Sequence, residues 1–307
     1  MNKTRLVVTL LVRDEADVIA ATLEFYLAQS PARIIVTDNS STDGTADVLA
    51  RYAESGHIDL IFEPNLHYRQ SEWVTRMARS AFDDHRADWV INADVDEFWT
   101  PVDRSLGLLE VFAAVPPQFN MIRASRDDLR ALRCGSESRP WPRRLVWRDT
   151  KTVASNGNPL GLKAAHRASP DVVVAQGNHD VSGLALRAIL PSRPIEILHV
   201  PLRSWQQFAR KIENGGSSYE SNPDTSAQSG WHWRLDFRLL QEGLLRPEVK
   251  RRLIGRRELA VGVVTGRFRH EPWLRRHLIS LLEHAAHPDL LRAVLSDKID
   301  TSLQIEL

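Results

Sequence analysis

Cysteine is nearly absent: Cys134 is the one thiol in 307 residues. An internal disulfide framework and a cysteine-built zinc site are therefore excluded, and a reducing cytoplasm suits such a chain. Net charge of either sign is missing too. A formal charge of +1 gives no electrostatic case for a nucleic-acid partner. No apolar run reaches the length that spans a bilayer. The start, Met1 to Arg5 and then an apolar stretch interrupted by Arg13, reads as a first strand and not as a secretory signal. No internal period suggests a repeat architecture. Glycine signatures are absent as well. No Gly-x-Gly-x-x-Gly follows the first strand, and no Gly-rich loop ends in Lys-Ser or Lys-Thr. This argues against a dinucleotide oxidoreductase and a P-loop nucleotidase.

What is present is an ordinary apolar fraction of 43%, enough for a normal core. One stretch organises the rest, Asp88 to Trp99, an apolar run that ends in Asp94-Val95-Asp96 with Glu97 directly after it. A buried strand that delivers two acids to its end can hold a hard divalent cation, which takes oxygen ligands. A solvated acidic turn closing a strand would use the same residues.

The residues before it favour the first reading. Arg5 to Val12 is almost continuously apolar and β-branched, as in a strand buried on both faces. Arg13-Asp14-Glu15 breaks it. A helical stripe follows through Val18, Thr22 and Phe25, and Ser30-Pro31 ends it. Arg33 to Thr37 is a second strand, and it runs into the polar loop Asp38 to Thr45. A helix with Ala46, Leu49 and Ala53 comes next, then a strand at Ile58 to Glu63, a helix from about Gln70 to Asp84, and the Trp89 strand. The order β-α-β-α-β-α-β with right-handed crossovers makes a parallel sheet with its three polar clusters on the carboxyl edge, where open α/β sheets bind ligands.

Three stretches resemble glycosyltransferase family 2 of the GT-A fold: Val12-Arg13-Asp14-Glu15, Asp38-Asn39-Ser40-Ser41-Thr42-Asp43-Gly44-Thr45, and Asp94-Val95-Asp96. A weaker resemblance to a bacterial branch continues in Ile197 to Ser204 and Phe208 to Gly216. The resemblance implies an α/β class: a mostly parallel, Rossmann-like sheet flanked by helices, with a C-terminal helical extension. It divides the chain into a GT-A domain at 1–230, with a nucleotide-binding half at 1–100 and an acceptor half at 101–230, and the extension at 231–307. It implies that Leu11, Val12, Arg13 and Glu15 line the nucleotide base pocket, that Asp38, Asn39 and Ser40 hold the nucleoside, and that Asp94 and Asp96 serve the ribose and a Mn²⁺ or Mg²⁺ ion. Asp96 is the more direct metal ligand in that scheme. Some GT-A enzymes complete the metal shell with a downstream histidine, and His199, at the end of a strand from Ile195, stands where one could be delivered.

The implied reaction moves a sugar from a nucleoside-diphosphate sugar, UDP-linked by expectation, to a hydroxyl on a glycan, a lipid-linked acceptor or a small molecule, with inversion, in bacterial surface glycan or glycolipid synthesis. The chain departs from the family pattern downstream. Neither a Glu-Asp or Asp-Asp base pair nor a Gln-x-x-Arg-Trp motif occurs in its usual form, and Trp231-His232-Trp233-Arg234 is only vaguely like the latter.

For the base, His179-Asp180 is the pair to name, since an acid beside a histidine can deprotonate a hydroxyl; Asn-His-Asp is also good turn chemistry. Lys163 and His166 are weaker candidates. Trp205 and Trp231 suit a sugar face or a core equally well. The Arg-rich stretch 123–148 reads as a loop with Arg143 or Arg144 near phosphates, or as a solvated basic loop. A helix is expected from Pro101 to about Pro117, and one after His199 with Gly215-Gly216 as its stop. Arg251-Arg252, Arg256-Arg257 and Arg275-Arg276 decorate the C-terminal helices. They form either a solvated face or a peripheral contact with anionic lipid or a polyprenyl-phosphate acceptor. Two other functions stay open: a sugar nucleotidyltransferase, which would want a glycine-rich loop where Arg13-Asp14-Glu15 stands, and a non-catalytic GT-A-like binding protein.

Overall fold

The computed structural model describes residues 4–67, 69–134, 139–153, 160–185, 187–221 and 230–296. The first four strands alternate with helices: β1 (Leu6–Val12), α1 (Ile19–Leu27), β2 (Arg33–Asp38), α2 (Thr45–Glu54), β3 (Ile58–Phe62), α3 (Gln70–Asp83) and β4 (Trp89–Asp94). Every residue of β1 but Leu11 is buried, which is why its sequence runs apolar without alternation. Leu6, Val8, Leu10 and Val12 enter the larger core, with α1 and α2. Val7, Ile35 and Val90 enter a second core on the other face, beneath α3. The strands pair in parallel in the order β3-β2-β1-β4. Val12 stands opposite Asp38 and Leu11 opposite Asp94, so the ends of three strands are level at one edge.

Beyond β4 the chain continues through β5 (Glu97–Pro101), α4 (Leu108–Ala113), β6 (Met121–Arg130), α5 (Trp141–Arg144), β7 (Trp147–Asp149), β8 (Lys163–Arg167), β9 (Val173–Val174), β10 (Val181–Ser182) and β11 (Ile195–His199). β8, β6 and β7 extend the sheet from β4 by antiparallel pairing. β11 lies parallel to β6 and antiparallel to β5. The expected α/β class is thus realised as a parallel half with a mixed half joined to it.

The expected helix from Pro101 is shorter, because Glu97 to Pro101 pairs with β11 as a strand and leaves only Leu108–Ala113 helical. The described part of the Arg-rich stretch is not a loop: it contains β6, α5 and β7.

The last part holds α6 (Trp205–Ser221), α7 (Trp231–Gln241), α8 (Leu245–Arg252), α9 (Arg256–Val264), β12 (Phe268–His270), α10 (Trp273–Ser280) and α11 (Pro288–Leu295). Gly215-Gly216 does not stop α6; the helix runs through both. A Cβ at Gly215 would stand 2.4 Å from the Trp233 ring, and one at Gly216 2.3 Å from Phe237 Cβ. The glycines are there for the close approach of α7, not for a turn. Phe208 and Ile212 of α6 form a small core of their own with Phe237, Leu245 and Val249. β12 joins the sheet beside β7, and Leu274, Leu278 and Leu291 lie in the larger core. Among the described residues no helix is long and apolar enough to cross a membrane.

Candidate active site

The loops after β1 and β2 are sewn together by the short polar side chains that made them conspicuous. The Asp14 N–H donates to Ser41 Oγ at 2.9 Å, the Glu15 N–H to Thr45 Oγ1 at 2.8 Å and the Ala16 N–H to Asp43 Oδ2 at 3.2 Å. In return the Thr42 N–H donates to Asp14 Oδ1 at 2.6 Å. Asp38 is buried and accepts from the Ser41 N–H at 3.2 Å. Its pKa is raised by burial, which outweighs the hydrogen bonds from Ser41. Asn39 Nδ2 donates to the carbonyls of Glu63 and Asn65, and Ser40 Oγ donates to Glu63 as well. These two side chains brace the segment after β3, so any nucleoside contact from them falls to their backbone. The Arg13 Nε–H is buried and has no partner among the described residues.

Asp94 and Asp96 flank the tight passage from β4 to β5, and each faces a lysine. Lys163 of β8 donates to Asp94 Oδ2 at 2.6 Å and stands 3.1 Å from Glu97 Oε1. Glu97 is also met by Arg126 at 3.0 Å. Burial alone would raise the Glu97 pKa, but Lys163 and Arg126 hold it at about 2. The other Asp94 oxygen accepts from Asn178 Nδ2 at 3.0 Å. Asn178 itself is buried, sits in the left-handed region at φ 59°, and has no partner for its Oδ1 among the described residues. Lys211 of α6 donates to Asp96 Oδ2 at 2.6 Å, and Arg203 Nη1 lies 3.6 Å away. Burial opposes ionisation of Asp96, yet Lys211, His199 and Arg203 keep its pKa well below the usual carboxylate range.

Arg203 is fully buried and binds Glu15 and Asp17, tying the segment before α6 to the loop after β1. Further along α6, Gln207 donates to Glu15 and Asn214 to Asp14, and Arg210 pairs with Asp43 at 3.2 Å.

His199 is brought beside Asp96 by register. β11 sets it opposite Glu97 on one side and Asp128 on the other. Its Nδ1 is 2.7 Å from Asp128 Oδ1 and its Nε2 3.5 Å from Asp96 Oδ1. Burial lowers the His199 pKa, but Asp96 and Asp128 outweigh it and hold the ring towards its protonated form. A metal ligand at this position would have to give up that proton.

His179 and Asp180 part company. Asp180 is bound by Arg123 at 2.9 Å and Arg187 at 2.6 Å. Its pKa is lowered, since these arginines and the Val181 N–H outweigh the effect of burial. It is a poor proton acceptor. His179 is tied through Nδ1 to the Leu162 carbonyl at 3.0 Å, and burial lowers its pKa, so the ring is neutral near pH 7.

The other named residues are elsewhere. His166 is buried between Asn92 and the Arg167 carbonyl. Arg144 donates to the carbonyls of Arg139 and Arg203, and Arg143 lines a cavity with Pro142, Arg275 and Arg292. Trp205 packs against the α6–α8 core beneath Arg246, and Trp231 is exposed at the start of α7. Lys163 was a weak candidate that the fold brings to Asp94. Lys211, Arg203, Gln207 and Asn178 carried no assigned role. The signal for two of them was present: Gln207, Arg210, Lys211 and Asn214 follow the spacing of one helix face.

Among the described residues no three of His, Cys, Asp and Glu form a ready metal shell. Asp94 and Asp96 nevertheless supply hard oxygens, with the orphaned Asn178 Oδ1 beside them. Mg²⁺-type ions commonly take one or two protein carboxylates and complete the shell with water and substrate phosphates. The residues fit such an ion, provided an ammonium moves aside.

Residues 7–127 match the family model described as Glycosyl transferase family 2. No curated protein matches the chain. Among solved structures it is similar to TarS 1–349 from S. aureus, at 10% identity over 98% of this chain and 89% of that one, with a TM-score of 0.42. The same protein in complex with UDP aligns at 11% identity over 98% and 89%, with a TM-score of 0.39. Glucosyl-3-phosphoglycerate synthase from Mycobacterium tuberculosis, in complex with Mn²⁺, UDP-glucose and phosphoglyceric acid, aligns at 16% identity over 54% of this chain and 57% of that one, with a TM-score of 0.33. The matched residues 7–127 contain all three loops that carry the sequence resemblance, and over that segment the chain is similar to glycosyl transferase family 2.

Proposed function

We propose that the chain transfers a sugar from a UDP-sugar to a hydroxyl of a glycan, lipid-linked or small-molecule acceptor, in the cytoplasm, in bacterial surface glycan or glycolipid synthesis. The observation that carries this reading is the convergence on one sheet edge of Asp94 and Asp96 with the cations Lys163, Lys211 and Arg203. Sugar transfer develops negative charge on a departing diphosphate and positive charge on the anomeric carbon. A site with both acids and cations can answer each.

Leu11, Val12, Arg13 and Glu15 with Asp38 form the expected nucleoside side of this edge. The unspent Arg13 Nε–H gives that side a donor for the base or ribose. Asp96 and Asp94, with His199 alongside, are the residues that would hold Mn²⁺ or Mg²⁺. When bound, such an ion supplies Lewis-acid stabilisation of the leaving diphosphate. Asp94 remains about a third exposed, at 35%, whereas Asp96 is buried at 2%; Asp94 therefore suits contact with donor atoms as well.

For the proton of the acceptor hydroxyl we assign His179 in preference to Asp180. An Nδ1–H donated to Leu162 leaves Nε2 with the lone pair, and a neutral imidazole is a competent base near pH 7. Inversion follows from the resemblance to the family.

The test is calorimetric titration with UDP and GDP, with and without Mn²⁺, on the wild type and Asp96→Asn. UDP binding that needs Mn²⁺ and weakens at least about tenfold in the variant is expected, since a charged contact is lost. Absence of binding to either nucleotide would return the chain to the binding-protein reading.

A further inference from the structure

Lys211 stands where a cation is needed, and its own position makes it replaceable. α6 lays Gln207, Arg210, Lys211 and Asn214 across the carboxyl edge, onto the loops after β1 and β2 and onto Asp96. Its opposite stripe, Phe208 and Ile212, belongs to the separate α6–α8 core. Asp96 is 2% exposed and cannot be left ionised without a partner. Lys211 meets it at 2.6 Å while keeping 26% of its own side chain in solvent. Lys163 differs. It is 1% exposed and bridges Asp94 and Glu97, so it has no route out of the protein. Glu15, the second partner of Lys211 at 3.5 Å, also has Arg203 and Gln207 and would not be stranded by its departure. Gln207 Oε1 and Asn178 Oδ1, on residues 8% and 2% exposed, are buried acceptors that meet no donor among the described residues.

An ammonium and a divalent ion cannot share Asp96 Oδ2, because their repulsion at such range exceeds what one carboxylate offsets. A diphosphate changes the balance by adding negative charge beside both cations. Lysine, a compact charge on a flexible stem, can turn from the carboxylate to a phosphate oxygen.

On the basis of the donor-site reading, we propose that Lys211 stands in for the divalent cation at Asp96 while the site is empty and moves to the donor's diphosphate when nucleotide and metal arrive. The metal then binds together with the nucleotide and not ahead of it.

The experiment is Mn²⁺ titration followed by the electron paramagnetic resonance signal of the free ion, with and without UDP, on the wild type, Lys211→Met and Lys211→Arg, with UDP affinity measured in parallel. Wild-type protein is expected to take Mn²⁺ at least about tenfold more tightly with UDP present. Lys211→Met should take Mn²⁺ alone about tenfold more tightly than wild type, and should bind UDP about tenfold more weakly at saturating Mn²⁺, the scale of one charge-assisted contact. Lys211→Arg should keep the wild-type dependence on UDP. Equal Mn²⁺ affinity of the wild type with and without UDP overturns the proposal, and so does unchanged Mn²⁺ affinity in Lys211→Met. The wild-type comparison holds even where the methionine variant folds poorly. Failure of wild-type protein to bind UDP at any Mn²⁺ concentration defeats the donor-site reading itself, which separates the two failures.

Discussion

His166 and His199 lie on neighbouring parts of one sheet, and their surroundings drive them in opposite directions. His199 sits between Asp96 and Asp128 and is drawn towards the cation. His166 is hydrogen-bonded to Asn92 and the Arg167 carbonyl, and burial pushes its pKa down to about 4. A histidine held neutral in the folded state contributes stability that is full above its unfolded pKa near 6.5 and is lost as pH falls through the folded value. The amount at stake is about 3 kcal/mol. Urea unfolding between pH 7 and pH 4 should show a steeper loss for wild type than for His166→Gln; parallel profiles would remove His166 as the cause. His179 shares the neutral state, is tied at Nδ1 to the Leu162 carbonyl and lies within electrostatic reach of Asp94, and it is the residue proposed above as the base. In His179→Gln, glycosyl transfer should fall at least about a hundredfold, the usual contribution of a general base, with UDP affinity unchanged in calorimetry. A variant that loses both has lost folding or donor binding instead.

At the scale of the element, α6 carries opposed demands on two faces. One face must reach the acids of the sheet edge, and the other must approach α7 closely enough to form a core. Gly215 and Gly216 meet the second demand. Alanine at position 216 would gain up to about 1 kcal/mol of helix propensity. It would also place a methyl group 2.3 Å from Phe237 Cβ, a clash that costs about 1–3 kcal/mol where a packed interface must shift. Gly216→Ala is therefore expected to lower Tm by a few degrees and to weaken UDP binding, because Lys211 and Asn214 ride on the displaced helix. A variant more stable than wild type would mean that α7 can move aside freely.

For the molecule as a whole, the late helices are bound into the first half by a buried acid. Glu24 of α1 accepts from Tyr52 at 2.7 Å and from the Ala286 and His287 N–H groups at 2.9 and 2.7 Å, just before α11. Those donors sit at a helix N-terminus, where an anion is favoured. Glu24→Ala should destabilise the protein by about 1–3 kcal/mol, the cost of leaving buried donors unpaired. Hydrogen exchange should quicken in the 284–291 segment before it does in β1. Unchanged exchange there would show that the apolar contact of Leu291 alone holds α11.

The same scale shows what could be read before folding. The β-α-β-α-β-α-β order was legible because strands buried on both faces must run apolar without a break, and Arg5 to Val12 does so. The polar loops were legible because Asp38, Asn39, Ser41 and Asp43 cluster within a few residues. Their work was less legible: most of their side chains join one loop to another. The glycine pair was misread because a Gly-Gly signals a helix end locally, whereas here its meaning depends on Trp233 and Phe237 across an interface.

What the sequence by itself determined is the alternation of elements, the edge on which their loops gather and the two acids at the end of β4, since each follows from local pattern and chain handedness. The tertiary structure alone decided which cations meet those acids. Lys163 and Lys211 are 69 and 115 residues from their partners, and only the order of strands in the sheet and the docking of α6 across its edge bring them within hydrogen-bond reach.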